Sequence, residues 1–308
     1  MHRWLRAWRP ASDPRAGCGR RALCLLAVLL CAGVAPAPAA APGPVLQVEA
    51  VLAPAWIGHG KSRRAVSPGD PVRPGEHLLT GRHGGIRAVL SDGTRLRLGP
   101  DAELDLGTLR QQPRHSLDAS LKRGVLRYAA PEAVPLIRLN LSLGPLQCRL
   151  HGADALAFVT PRPGVLLLAG DVLMGPPGGQ PTWHSKPDTR YVLSPGGDEL
   201  SAQPLPHARA KSVAGRLDLP SGSGIREAHG HWAVNLASLR DRARARHLAK
   251  RLDRAGIAAD TRRFRVHGDP WYRVAVNGFV SRADAERFAR SLRGRFRIGP
   301  PWVRKVSR

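Results

Sequence analysis

Two similar patterns of apolar residues follow each other near the C-terminal end of the chain. Each begins with alternating apolar positions, as at Val274 and Val276, which is the pattern of a strand with one buried face. Each continues with apolar residues spaced at i, i+3, i+4 and i+7, as on one face of a helix. A shift of about 40 residues places Trp232 on Tyr272 and superposes the two patterns, so the sequence contains an internal repeat.

Both predicted helices carry signals for their ends. Asp241 and Ser281 are typical N-cap residues, since their side chains accept hydrogen bonds from the first free N–H groups of a helix. Asp284 stands three positions after Ser281, as in a capping box. Gly256 and Gly294 occupy positions where a left-handed residue commonly ends a helix. The sequence therefore predicts two short helices with defined ends.

A further strand is expected after each helix, over about 258–266 and 295–303. Residues 231–308 are thereby predicted to form an α+β ferredoxin-like unit of βαββαβ order. Its four antiparallel strands carry both helices on one face.

Two layers leave the other face of that sheet without a cover. Because Val234 and Val274 face the helices, the residues between the apolar positions point outward. An uncovered tryptophan beside an arginine indicates a binding surface. The outward positions are Ala233, Asn235, Ala237, Trp271, Arg273 and Ala275.

The middle of the chain has a different pattern. Over 45–175, short apolar runs alternate with Gly- and Pro-containing turns and helical spacing is absent, which predicts an all-β domain of about ten or more strands. Residues 86–90 and 94–98 flank Asp92-Gly93, as in a hairpin with a primed turn.

A Pro-, Gly- and Ser-rich stretch follows over 176–230. It predicts a semi-extended linker, with one more strand around 191–193. With 308 residues the chain has room for two domains and their connections. The fold class is therefore multidomain, an all-β domain followed by an α+β domain.

The first 39 residues are typical of a secretory signal peptide. Basic residues precede an apolar run over 22–34, and Ala37-Pro38-Ala39 is a small-x-small cleavage site. An uncleaved membrane anchor is the alternative, although the run is shorter than the ~20 residues of a membrane-spanning helix. The sequence thus predicts a periplasmic protein without a transmembrane helix after cleavage. Cys148 then remains as a single cysteine, which excludes an internal disulfide.

The charge of the chain points to an anionic partner. Its 48 basic and 23 acidic residues give a formal net charge of +25, which suits a nucleic acid or an anionic envelope surface. The excess of arginine, alanine, glycine and proline is also typical of GC-rich genomes, so part of this charge reflects composition.

The C-terminal repeat resembles a family. The runs 232–238 and 271–279, with the helix start after Ser281, resemble the SPOR domain, a bacterial module that binds septal peptidoglycan. The resemblance covers about the last quarter of the chain. It implies binding to glycan strands that have lost their stem peptides, and a role in cell division or wall organisation.

The resemblance also implies which residues bind. Asn235 and Ser238 match a polar pair on the first strand of the family, and Trp271 and Arg273 match an aromatic residue and an arginine on the third. A denuded glycan offers sugar faces for stacking, amide and hydroxyl groups, and a lactyl carboxylate for a cation. Apart from the resemblance, Trp302 in the last strand is a further candidate for this surface, and its register is left open.

Each of these residues also has an ordinary structural role open to it. Trp271 could pack at a sheet edge, and Arg273 could be a solvated surface arginine. Asn235 could be a neutral surface amide, and Ser238 could cap the helix that follows it.

The β domain resembles the FecR-like domain. The resemblance lies in residues 67–70, 74–81, 91–98 and 101–104, which contain Pro-Gly-Asp, Thr-Gly and Asp-Gly turns. Members of that family often relay envelope signals to a sigma factor, which implies an envelope partner and provides an alternative function. The chain lacks the cytoplasmic helical segment that such regulators use.

No catalytic constellation, metal-ligand spacing or phosphate-binding loop is found, so no enzyme activity, metal or cofactor is expected. Nucleic-acid binding is a further alternative, because βαββαβ modules also bind RNA on their open face. The central strand lacks the aromatic-rich pattern of RNA-binding modules, and the predicted export separates the chain from nucleic acid. A peptidoglycan-binding envelope protein is the favoured hypothesis.

Overall fold

A computed structural model describes residues 46–110, 115–131, 136–176 and 178–306. The predicted signal peptide lies outside the described residues. Within them, no helix is both long and apolar enough to cross a membrane. The helices are α1 (His207–Gly215), α2 (Arg242–Arg254) and α3 (Arg282–Ser291). The strands are β1 (Leu46–Leu52), β2 (Ala55–His59), β3 (Ser62–Ala65), β4 (Pro71–Val72), β5 (Glu76–Thr80), β6 (Gly85–Leu90), β7 (Arg95–Leu98), β8 (Glu103–Arg110), β9 (Ser116–Arg123), β10 (Val125–Ala129), β11 (Arg138–Leu143), β12 (Leu146–Leu150), β13 (Asp154–Phe158), β14 (Gly164–Ala169), β15 (Val172–Gly175), β16 (Thr182–His184), β17 (Thr189–Leu193), β18 (Leu200–Pro204), β19 (Arg226–Glu227), β20 (Trp232–Leu239), β21 (Asp260–Val266), β22 (Asp269–Phe279) and β23 (Trp302–Lys305).

The N-terminal part is all-β, and its strands follow the alternation of the sequence. β11 and β12 bury every second residue, as expected for strands with one face against a core. One sheet runs β16-β15-β12-β11-β9-β8-β5-β2-β3, and the other begins β18-β17-β14-β13-β10-β7-β6-β1. The main hydrophobic core draws residues from both sheets, so the two sheets pack face to face.

The hairpin predicted around Asp92-Gly93 forms, with β6 paired to β7. Its turn differs from the prediction. Gly93 has a positive φ of 87° and Asp92 does not, whereas a primed turn of type I′ needs two such residues. Gly93 N–H donates to Leu90 C=O, so the turn spans 90–93 and closes one residue earlier than predicted.

The prediction of a linker over 176–230 is wrong in its main point. This stretch contains β16, β17, β18, α1 and β19. β17 pairs with β14 and β18 pairs with β17, so they extend the β domain. The single strand expected around 191–193 is β17. The rest was missed because the strands are short and exposed and the turns between them are rich in Pro and Gly.

The C-terminal part has the predicted order of strands and helices. β20 lies between β23 and β22, and β21 pairs with the other edge of β22, all antiparallel. The helices pack on one face around a core that includes Val234, Val274, Phe279 and Phe288. The last strand starts later than predicted: residues 295–301 form no strand, and Phe296 and Arg297 have positive φ values of 58° and 50°.

The two parts share one sheet. β19 pairs with β1 of the β domain and with β22 of the C-terminal module, so the larger sheet continues from one to the other. The C-terminal end of α2 adds further contacts with the β domain. Ala65 N–H donates to Asp253 Oδ1 at 2.7 Å. Just after the helix, Gly256 C=O accepts from Ala55 N–H at 3.1 Å. The C-terminal module is therefore attached by paired backbone as well as by side chains.

A buried arginine lies at this junction. Arg226 donates to Val66 C=O at 3.0 Å and to Ala258 C=O at 3.3 Å. Its complete burial lowers the pKa of the guanidinium to about 10, although the carboxylates of Asp260 and Asp70 act in the opposite direction. The arginine thus connects the β domain to the start of β21.

Candidate functional site

The pairing of β20 to β23 determines which side chains share the face opposite the helices, here called the open face. Side chains of paired residues lie on the same side of a sheet. Trp302, Asn235, Ala275 and Asp260 form one row across the four strands. The next rows are Ser238, Arg273 and Arg262, and then Trp271 and Phe264.

A bulge changes one predicted position. The register between β20 and β22 shifts between Asn235 and Ala237. Ala237, predicted to face outward, is instead paired with Val274 and packs on the helix-side core. Because the bulge adds one residue, Ser238 falls on the open face opposite Arg273 rather than at a helix start. The N-cap of α2 is Asp241, whose carboxylate accepts from Ala243 N–H at 2.7 Å.

A groove of about 710 Å³ runs along this face. Its floor includes Ala275, and its charged lining has four arginines and one carboxylate, so its field favours an anion. The side chain of Asn277 donates to Asp260 at 2.6 Å, which holds both groups at one end of the groove. The lining residues are Asp260, Thr261, Arg262, Arg263, Phe264, Arg273, Ala275, Asn277, Arg304 and Val306.

Arg273 is held in this groove by stacking. Its guanidinium carbon lies 4.4 Å from the centre of the Phe264 ring, a cation–π arrangement that fixes the plane of the charged group. Its Nε–H is buried and has no hydrogen-bond partner in the described structure. A buried donor without an acceptor is uncommon in proteins, so Arg273 is oriented by an apolar ring and retains hydrogen-bonding capacity.

Trp271 is less free than the sequence suggests. The guanidinium of Arg240 lies over its indole ring at 5.1 Å, and Arg240 is also 3.9 Å from the carboxylate of Asp269. Arg240 itself is largely exposed. One face of the Trp271 ring is therefore covered by the exposed side chain of Arg240. A ligand that stacks on Trp271 would use the other face of the ring or displace Arg240.

Asn235 lies on the open face but is fully buried, unlike the exposed amide that was expected. With its oxygen directed toward β23, it accepts hydrogen bonds from Trp302 Nε1 at 3.0 Å and Arg304 Nε at 3.3 Å. Its amide therefore fixes the orientation of these two side chains. Trp302 remains 44% exposed, which makes it the most accessible of the predicted aromatic residues.

The structure adds residues that the sequence interpretation did not include. Phe264, Asp260 and Arg262 come from β21, and Asn277 and Arg304 come from β22 and β23. A signal for the first three was present, because Asp260, Arg262 and Phe264 alternate along a predicted strand that borders Trp271 and Arg273. Alternation alone does not show which edge of the sheet this strand joins.

The residues behind the resemblance to FecR-like domains hold turns together. Asp70 accepts from Ser67 N–H at 2.8 Å, and buried Thr80 donates to Gly99 C=O at 2.6 Å. Asp92 accepts from Thr94 N–H at 3.0 Å and also from backbone N–H groups at 136 and 137. These contacts stabilise turns of the β domain.

The cysteine within the described residues is also structural. Cys148 is buried and forms no disulfide there. Burial raises the pKa of its thiol to about 12, so the thiolate that reacts with electrophiles is scarce near neutral pH.

A family model described as the SPOR domain matches residues 228–305. This part of the chain is a SPOR domain, which is a binding domain and not a catalytic one, and SPOR domains bind peptidoglycan. No curated protein sequence matches the chain.

Solved structures give weak similarities. Two crystal structures of a protein assigned as an anti-sigma factor, from Parabacteroides distasonis ATCC 8503, each share 10% identity with the chain at a TM-score of 0.37. The first match covers 45% of this chain and 64% of that one, slightly under two thirds of its length. The second covers 56% and 72%.

Proposed function

We propose that this SPOR-domain chain binds peptidoglycan glycan strands that lack stem peptides, and that it holds them in the groove on the open face. The main support for this proposal is the position of the Arg273 guanidinium and the contacts around it. Its side chain lines the groove, its guanidinium is oriented by Phe264 at 4.4 Å, and it forms no ion pair with the residues that the structure describes. Such a group suits the lactyl carboxylate that a denuded glycan exposes.

The charge and shape of the groove support an anionic, extended ligand. Four arginines and one aspartate line it, and an arginine can grip a carboxylate through two parallel hydrogen bonds. The groove extends over several strands rather than closing around a small molecule. A polysaccharide with repeated carboxylates fits these properties.

The aromatic residues would supply sugar stacking. Trp302 offers an exposed indole whose position is fixed by Asn235, and Trp271 offers the face that Arg240 leaves open. Asn235 then acts as a positioning residue in this proposal. Ser238, beside Arg273, is placed to reach a sugar hydroxyl or amide.

The cellular context is part of the same proposal. The signal-like N-terminal segment and the SPOR domain favour an exported protein of the periplasm that acts in cell division or wall organisation. The FecR-like interpretation of the β domain and the ferredoxin-like interpretation of the module are proposals too, supported by the turn residues and by the βαββαβ order.

Pull-down on purified peptidoglycan sacculi tests the proposal. The full chain should bind sacculi more strongly after amidase treatment, which removes stem peptides. Arg273→Ala should weaken this binding by about 1–3 kcal/mol, as for an anchor at an interface. Arg273→Lys should recover only part of it, because an ammonium cannot make the two-bond contact.

Arg246→Ala is the matched control. Arg246 is an exposed arginine on α2, on the side of the module away from the groove, and its removal changes the net charge equally. If the Arg246 and Arg273 variants lose the same affinity, or if amidase treatment has no effect, the proposal is wrong.

A further inference from the structure

A second cavity lies in the β domain, between α1 and the outer face of β13 and β14. Two small residues of α1, Ala210 and Ala214, are buried against Leu156 and Leu166. Small residues bring the helix close to the sheet at these points, and a space remains beside them of about 320 Å³. The apolar part of its lining consists of Val125, Leu156, Phe158, Leu166, Leu205 and Val213.

The polar part of the lining contains two arginines. Arg190 lies over the ring of Phe158 at 5.1 Å, so its guanidinium is held at the apolar wall. Arg209 belongs to α1 and is exposed. Thr160 and Gln203 complete the polar lining.

Neither arginine forms an ion pair with any of the residues that the structure describes. A nearby carboxylate, that of Asp188, is engaged by His207 Nδ1 at 2.9 Å. Arginine charges next to an apolar cavity therefore remain without a compensating anion. Arginine stems can lie along an apolar wall while the charged ends stay at the mouth of the cavity.

We propose that this cavity binds a single-chain anionic amphiphile, such as a medium-chain carboxylate. The chain would occupy the space between α1 and the sheet, and the carboxylate would lie between Arg190 and Arg209. An apolar cavity with a few convergent polar groups is the usual form of a small-molecule site, and ~300 Å³ is at the lower end of the range for such sites. That size suits one short chain and is too small for a two-chain lipid.

The proposal is independent of glycan binding, because the site lies in the β domain and shares no residue with the open face. It gives the β domain a ligand of its own. The ligand would be a short apolar chain that ends in a carboxylate. Either a free fatty acid or the exposed end of an acyl-containing envelope component could supply this group.

Calorimetric titration of the full chain tests the proposal with three probes of equal chain length: decanoate, decanol and decyltrimethylammonium. Decanoate should bind at least about tenfold more tightly than decanol, since hydrogen bonds to a charged group are roughly twice as strong as those between neutral groups. The cationic probe should bind most weakly. Anionic phospholipid vesicles form a fourth arm, in which no binding through this cavity is expected.

Two pairs of substitutions locate the effect. Arg190→Gln with Arg209→Gln should remove the preference for decanoate over decanol. Arg162→Gln with Arg216→Gln makes the same charge change at exposed positions outside the cavity and should leave the preference intact. Val213→Trp should fill the cavity and reduce binding of both decanoate and decanol, with the melting temperature recorded for every variant.

The proposal is overturned if decanoate does not bind the wild-type chain, or if all three head groups bind equally. It is also overturned if the control pair abolishes the preference as completely as the cavity pair does. Binding to vesicles without binding of soluble decanoate would point to a membrane surface instead of this cavity.

Discussion

The two faces of the SPOR-domain sheet are built from the same strands and are held together in different ways. On the helix side, Val234, Val274 and Phe279 pack tightly with residues of α2 and α3. On the open side, the aromatic rings lie against guanidinium groups, as in the contact between Phe264 and Arg273. Apolar packing removes a ring from water, whereas an arginine stacked on a ring keeps a charged group available at the surface.

β22 supplies residues to both faces of the sheet. Because its side chains alternate, one set contributes to stability on the helix side and the other set to the proposed binding on the open side. Phe279 is fully buried with its ring 5.0 Å from that of Phe288, and Arg273 points the other way into the groove. We therefore expect substitutions on the helix side to change mainly the free energy of unfolding. Substitutions on the open side should change mainly the affinity for glycan.

The largest expected effect is at the centre of the helix side. Phe279→Ala should lower the free energy of unfolding by about 3–5 kcal/mol, because it removes a large buried ring and leaves a cavity. Chemical denaturation of the full chain measures this. A loss below about 1 kcal/mol would show that the two faces do not differ as described.

The next effect concerns the two helix starts. Asp284, in the first turn of α3, is fully buried. Its carboxylate accepts from the hydroxyl of the N-cap residue Ser281 at 2.5 Å, from Gly224 N–H at 2.9 Å and from Ile225 N–H at 3.1 Å. Asp284→Ala should cost about 2–3 kcal/mol, since it leaves buried N–H groups without an acceptor. Asp241→Ala, at the exposed N-cap of α2, should cost about 1 kcal/mol. Equal losses of stability would show that the contacts with 224 and 225 contribute little.

The smallest effect on stability is expected on the open side. Phe264→Ala removes a half-buried ring from an edge strand and should lower the free energy of unfolding by less than about 1 kcal/mol, within the usual range for surface positions. It should nevertheless weaken glycan binding, because Arg273 loses the ring that orients it. A variant that binds like the wild type would show that this stacking is not needed for recognition.

Much of the module was predictable because each helix carries local signals. Asp241 and the pair Ser281 and Asp284 specify where the helices begin, and they do so in the structure. The alternation at Val274 and Val276 correctly placed the buried side of β22. These signals depend on neighbours within a few residues, which the sequence displays directly.

The features that were missed depend on pairing between distant segments. The bulge in β20 turns Ala237 inward and Ser238 outward, and alternation cannot reveal an extra residue. The burial of Asn235 results from Trp302, 67 residues away along the chain, and the stacking of Arg273 depends on which edge β21 joins. The shared sheet through β19 was hidden because a strand of two residues has almost no sequence pattern.

Nuclear magnetic resonance of the full chain, titrated with purified denuded glycan strands, shows directly whether glycan binds on the open face. We expect the indole N–H signals of Trp271 and Trp302 and the backbone signals of Phe264 and Arg273 to shift with increasing glycan. Signals from the exposed side of α2, such as that of Arg246, should stay in place at an ionic strength of about 0.15 M, where diffuse charge attraction is screened beyond ~8 Å. Shifts confined to the helices, with the open face unchanged, would show that glycan does not bind in the groove.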